Sequence, residues 1–280
     1  MYRRVAIVTD STADLPDADV GRLGIAVVQM QLRVGDQVDD EARVPTDALV
    51  RAMEDRVEVA TAPPDAGALF WAYQEAWGHG AEAVVSMHIS GRQSATCEAA
   101  RAAAERSKIP VHVIDSHTAG MSLGHGVIAA ADAANRGGDV SAVIAAAERR
   151  WSQGLELIYV DTLEYLRRGG RIGPAAALVG TALSMKPLLT VADGAITPLE
   201  RVMGTDRALR RMVDLAAKKA RGAQVDVAVE HFAAPDRAET LLRALRSRIP
   251  GGHNFTLTQV SSAIGAHVGP GALGVSISPH

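Results

Sequence analysis

The chain has 280 residues, 29 basic and 32 acidic side chains, a formal net charge of −3 and 48% hydrophobic content. That length exceeds what one compact core usually fills, so two domains or one large α/β unit are expected, and a charged fraction of 22% excludes a disordered or fibrous chain. The charge balance offers no general attraction to nucleic acid or anionic membranes, and a single cysteine, Cys97, excludes an internal disulfide or a zinc site built on cysteines.

The elements follow from the pattern of apolar runs and turn residues. Residues 5–8 form a short apolar strand ended by Asp10, Ser11, Thr12 and Pro16. Residues 25–34 are β-rich, with Gly35 and Asp36 turning the chain. A helix is expected over 66–77, a strand over 83–88, and an Ala-rich helix over 94–107 with Ser94 as its N-cap. A strand over 111–114 precedes a helix over 118–135 that Gly137 and Gly138 close. Short apolar strands alternating with helices predict a parallel sheet covered on both faces.

Beyond Gly138 the rhythm changes. A helix over 140–151 leads to a strand over 155–160. Residues 187–192 and 195–199 flank Asp193-Gly194, a dipeptide suited to a type I′ hairpin turn. A helix over 206–220, strands over 225–230 and 255–260, and a helix near 237–246 complete the reading. The fold class is therefore α/β with two domains: a parallel-sheet α/β domain over 1–150 and an α+β domain with a mixed sheet over 151–280. The apolar stretches 118–131 and 173–185 are too short and interrupted to span a bilayer. The apolar run near the N-terminus is too short for a signal-peptide core, so a cytoplasmic protein is expected.

Asp10-Ser11 and Asp115-Ser116 both stand just past a strand, and Ser86 followed by Ser90-Gly91 puts more hydroxyls at the same level. In open parallel sheets that edge faces the ligand crevice, although Asp and Ser there also cap the following helix. Gly120-Met-Ser-Leu-Gly124 matches the nucleophile-elbow pattern, yet Ser122 falls within the helix rather than on a strand-to-helix turn. Gly269-Pro-Gly-Ala-Leu-Gly274 matches a dinucleotide fingerprint but has only six residues after it, so it is read as a tight loop. No phosphate-cradling P-loop is present. The nine histidines include no HExxH, so metal binding has no support in the sequence. Cys97 reads as a buried small residue. Arg167, Arg168 and Arg171 around two glycines fit a solvated helix end or a grip on an anion. A serine hydrolase using Ser122 or Ser90 is the alternative to a binding protein. A nucleic-acid regulator is disfavoured by charge and by scarce aromatics.

Four stretches in order, VTDSTADLP (8–16), VIDS (113–116), LEYLRRGGRI (163–172) and HVGPGALG (267–274), resemble the DegV family over essentially the whole chain. The resemblance implies a two-domain protein that holds a long-chain fatty acid at the domain interface and is not itself an enzyme. It also implies a possible partner, the catalytic subunit of a fatty acid kinase, to which the carboxylate is presented for acyl phosphate formation. No cofactor or metal is implied. By the same resemblance Thr61 and Ser90, followed by Gly91, are the carboxylate ligands. His267 stands beside the head group, and Arg171 matters near it and for kinase docking. The chain departs from the family motifs at Ala62, Pro64-Asp65, Met87, Arg92 and Val268. A buried carboxylate needs donors to replace its hydration. An acyl tail gains roughly 0.8 kcal/mol per methylene, about 11 kcal/mol for some fourteen of them before ordering costs.

Overall fold

The computed structural model describes residues 4–178 and 185–280, so the central part of the stretch 173–185 lies outside the described residues. In chain order the elements are β1 (Val5–Asp10), α1 (Asp17–Leu23), β2 (Ile25–Val28), β3 (Gln31–Val34), β4 (Gln37–Asp40), α2 (Thr46–Glu54), β5 (Val59–Ala62), α3 (Ala66–Gly78), β6 (Ala83–His88), α4 (Thr96–Ala104), β7 (Val111–Asp115) and α5 (Gly120–Asn135). They continue with α6 (Val140–Gln153), β8 (Leu155–Tyr159), α7 (Glu164–Arg168), β9 (Met185–Ala192), β10 (Ala195–Met203), α8 (Thr205–Ala220), β11 (Val225–His231), α9 (Pro235–Arg248), β12 (Gly252–Gln259), α10 (Ser262–Val268) and β13 (Leu273–Pro279).

The expected parallel sheet is present in the order β2-β1-β6-β7. Every residue of β6 is buried, as a central strand covered on both faces requires. One face packs Val5, Ile7, Val85 and Met87 against Leu123 and Val127 of α5 and Val143 of α6. The other packs Val8 and Val84 against Leu69 and Tyr73 of α3 and Ala100 of α4.

The mixed sheet is separate, in the order β10-β9-β8-β13-β11-β12, with only β11 and β12 parallel among its neighbours. Its helix-covered face takes Ala208, Met212, Ala216 and Ala220 of α8, spaced four apart on one stripe. Its other face joins a third cluster. There Leu32, Leu49 and Met53 from the first quarter of the chain pack with Leu189, Ile196, Phe232 and Val260.

Several elements differ from expectation. Residues 25–34 are two strands: β2 pairs with β1, while β3 leaves to form an antiparallel β4-β3-β5 sheet. Ser94 is not the N-cap of α4. Its main-chain N–H and that of Gln93 both bond to the Ser90 carbonyl, closing a turn that delays the helix to Thr96. The long helix starts at Gly120 because Ala119 is extended. β13 is a central strand between β8 and β11, although the residues after the Gly-Pro-Gly loop carried no strand assignment. Leu273, Val275 and Ile277 alternate toward the core there. The Asp193-Gly194 hairpin holds, with φ of 48° and 78° as a type I′ turn demands. No helix among the described residues is long and apolar enough to cross a membrane.

Candidate functional site

An apolar cavity lies where the third cluster meets the loops after β1 and β6. Met30, Ile89, Ile158, Ile196, Phe232, Val260, Ile264, Val268 and Leu273 form much of its wall, and Thr61, Gln93, Ser94, Arg171 and His267 supply polar groups. Thr61 reaches it from β5, and His267 from the last turn of α10. The buried Glu41 accepts the Ala263 N–H in the first turn of α10, and Ser261 caps that helix through the Ile264 N–H.

Thr61 Oγ1 and His267 Nε2 are 2.8 Å apart. Burial and the Arg171 charge push the imidazole down to about 4, so it is neutral near pH 7. Nδ1 is buried without a partner among the described residues, which favours placing the ring proton on Nε2. In that tautomer His267 donates to Thr61, which leaves the Thr61 proton free to be donated to another acceptor.

The Gly-Gly-Arg segment has a local physical reason. Gly170, at φ 70°, ends α7 in a left-handed conformation, and the Arg171 N–H bonds back to the Leu166 carbonyl. A side chain at Gly169 would place its Cβ 2.0 Å from His267 Nδ1, so the glycine is what admits the imidazole. Arg171 then turns its guanidinium to the cavity, donating from Nε to the Gln93 carbonyl (3.0 Å) and from Nη1 to that of Gly169 (2.6 Å).

Thr61, His267 and Arg171 thus come together on one wall. Ser90 and Gly91 are not among the residues lining that cavity. Ser90 is fully buried and its Oγ donates to the Gly194 carbonyl at 2.8 Å, on the tip of the β9–β10 hairpin. Gln93 Nε2 donates to the same carbonyl, so Ser90 connects to the cavity through Gln93. Gly91 is exposed, and its N–H bonds to Asp115. Asp10 and Asp115 act as caps for the turns that follow their strands.

Two further carboxyl groups line the cavity, and the sequence reading missed them. Burial and the neighbouring Glu230 push Glu156 up to about 8, while Thr118 Oγ1 donates to it at 2.7 Å. Burial also raises Glu230, which accepts the Met121 N–H at 2.7 Å. Desolvation inside the protein is what raises both, and nothing in their local sequence announces that environment.

Ser122 lies within α5 and donates to Ser276 Oγ at 3.0 Å, so neither its proton nor that of Ser90 is directed at a histidine base. A Ser-His-Asp chain does exist elsewhere. Ser86 Oγ is 2.7 Å from His88 Nε2, and His88 Nδ1 is 2.9 Å from Asp10 Oδ2. All three side chains are sealed from solvent, and the Tyr73 hydroxyl, 2.9 Å from Ser86, occupies the position a substrate would need. Cys97 is buried, and burial pushes its thiol up to about 12.

The fold and cavity define a class: α/β proteins in which a parallel sheet and a separate mixed sheet meet over an apolar cleft. The family described as "Uncharacterised protein, DegV family" matches residues 4–280, and the chain belongs to the DegV family. It is 44% identical over 279 residues to a DegV domain-containing protein of Streptomyces coelicolor, covering 99% of each chain. It is 35% identical to a DegV domain-containing protein of Deinococcus radiodurans, covering 98% of each. Among solved structures it is similar to a DegV family protein from Thermus thermophilus described by its fatty acid binding, at 28% identity and TM-score 0.91 over 99% of this chain and 100% of that one. It is also similar to DegV, a fatty acid binding protein from Bacillus subtilis, at 27% identity and TM-score 0.90 over 99% of this chain and 100% of that one.

Proposed function

We propose that this chain binds a long-chain fatty acid, with the carboxylate at Thr61, His267 and Arg171 and the tail along the apolar wall of the cavity. The observation that carries this reading is the union of that wall with a hydroxyl, a neutral imidazole and a tethered guanidinium. Thr61 donates to the carboxylate, His267 orients the Thr61 proton, and Arg171 contributes charge. Hydrogen bonds of this charge-assisted kind are the strong ones. Ser90 and Gly91 act behind Gln93, with Ser90 setting the distance between segment 90–94 and the hairpin tip. The fatty acid binding described for the Thermus thermophilus and Bacillus subtilis proteins supports the ligand class.

The reading extends to a cytoplasmic, non-catalytic carrier that presents the carboxylate to a separate fatty acid kinase subunit. The Gly-Gly-Arg and His-x-Gly-Pro-Gly resemblance supports that extension. The first test is native mass spectrometry of the purified chain, followed by organic extraction. A stoichiometric adduct with the mass of a long-chain fatty acid is expected. A chain that is empty and also refuses added palmitate and oleate overturns the ligand assignment. Acyl phosphate formed from ATP only when the loaded chain meets a fatty acid kinase catalytic subunit is the outcome expected of the partner reading. Equal formation without the chain rejects it.

A further inference from the structure

At one edge of the mixed sheet, the neighbouring strands β13, β11 and β12 bring together side chains far apart in the sequence: Asp226, His253 and His280. Register explains the meeting. Asp226 lies opposite Ser278 on β13, and His280, two residues beyond, falls on the same face. On β12, Val225 pairs with Gly252 but Asp226 pairs with Asn254. His253 is therefore the extra residue of a bulge, a device that re-aims a side chain.

His280 Nε2 lies 3.1 Å and His253 Nδ1 3.5 Å from Asp226 Oδ1, and all three ligand atoms fall within 4.8 Å of one another. A tetrahedral ion bound at about 2.0–2.2 Å has ligand–ligand edges of about 3.3–3.6 Å, within a few tenths of an ångström of the 3.1 Å and 3.5 Å spacings to Asp226. The carboxylate is already oriented: Arg150 holds its Oδ2, and Asn254 Nδ2 donates to Oδ1 at 3.0 Å, leaving Oδ1 a second lone pair. Asn254 Nδ2 also sits 3.0 Å from His253 Nδ1, and an amide nitrogen can only donate there. Nδ1 therefore carries its lone pair rather than a proton, and an ion takes that lone pair in place of the Asn254 N–H. The His280 main-chain N–H is tied to the Gln224 carbonyl. The His253 and His280 side chains are 57% and 42% exposed, which gives an ion its path in and leaves a coordination position to water. His125 lines the same cleft with its Nε2 unpartnered among the described residues.

We propose that Asp226, His253 and His280 form a binding site for a divalent transition-metal ion of the zinc class. Two imidazole nitrogens and one carboxylate oxygen suit such an ion and not magnesium or calcium, which take oxygen ligands. The ion joins the ends of three strands whose ligands converge only in the folded chain, so its binding also raises thermal stability.

The test uses the full chain, stripped with a chelator and titrated with zinc chloride by calorimetry in a non-coordinating buffer near pH 7.5. One equivalent binding in the micromolar range is expected, together with a rise in melting temperature. His253→Ala and His280→Ala, at exposed positions, are expected to weaken binding at least tenfold and remove the rise. His79→Ala, an exposed histidine outside the cluster, leaves both unchanged. Absence of stoichiometric binding by the parent overturns the site, as does equal binding by the His253→Ala/His280→Ala double variant. Comparable heats from magnesium or calcium overturn the zinc-class assignment.

Discussion

Thr61, His267 and Arg171 make up a small relay in which each side chain sets the state of the next. Arg171 and burial keep His267 neutral, and His267 in turn directs the Thr61 proton. Thr61→Val keeps the shape and removes the hydroxyl. A hydrogen bond to a charged group contributes about 1.5–3 kcal/mol, so fatty acid affinity is expected to fall roughly 10- to 100-fold. A binding titration alongside an unchanged circular dichroism spectrum checks this, and an unaltered Kd removes Thr61 from the head-group site. Glu156 gives a separate prediction. Its carboxyl stays protonated up to about 8 in the folded chain and ionises near its ordinary value of 4.5 once unfolded. Between those values the folded state holds the extra proton, so its contribution to stability is full below about 4.5 and is lost as pH rises toward 8. Glu156→Gln cannot ionise in either state. Urea melts of the two chains are expected to diverge between pH 5 and pH 8, with the variant gaining on the parent. Parallel curves contradict the shift.

The end of α7 shows how an element serves the site through what it omits. Gly169 has φ of −75°, which any residue adopts, yet a Cβ there meets His267 Nδ1 at 2.0 Å. Gly170 is the reverse case: open space surrounds it, but its φ of 70° disfavours a side chain. Gly169→Ala is therefore expected to displace His267 and weaken acyl binding while the helix end persists. Gly170→Ala is expected to cost about 1–2 kcal/mol of stability with a smaller effect on affinity. Paired thermal melts and binding titrations separate the two, and the opposite assignment of effects refutes the account. At this level much was readable in the sequence. β6, the helix over 66–77 and the Asp193-Gly194 hairpin all follow from period and turn chemistry. The split of residues 25–34 into β2 and β3 was not readable, because an apolar run does not say which of two sheets each half will join. The α10 segment, seven residues long, lacked the length for a helical period to register.

Buried carboxylates join the first half of the chain to the second. Asp14 accepts the Ser261 N–H, Glu41 the Ala263 N–H, and Glu230 the Met121 N–H. Burial and the nearby Glu230 carboxylate hold Asp14 well above the usual carboxylate range. Arg150 of α6 adds an ion pair to Asp226 of β11 and bonds to the Ser278 and Pro279 carbonyls. Removing one member of such a pair leaves the other charge uncompensated. Arg150→Ala is expected to cost about 3–5 kcal/mol in chemical denaturation. The Arg150→Leu/Asp226→Leu double variant is expected to recover most of that loss. If the single and double variants lose stability equally, the pair is not what fastens α6 to the sheet.

Local pattern determined the parallel sheet, most helices and the hairpin. Those elements depend on residues within a few positions of each other, where period and turn chemistry act directly. Resemblance in motif singled out Thr61, His267 and Arg171 as candidates, the last two standing in recognisable short strings and Thr61 in one that departs at Ala62, Pro64 and Asp65. The contacts among them came from packing. Thr61 and His267 are 206 residues apart and meet only because β5 and α10 share one core. Folding likewise committed Ser90 to Gly194, raised Glu156, and placed Asp226, His253 and His280 side by side across adjacent strands. Distances, burial and charge environment arise between segments, and a linear string specifies them only through the fold it adopts.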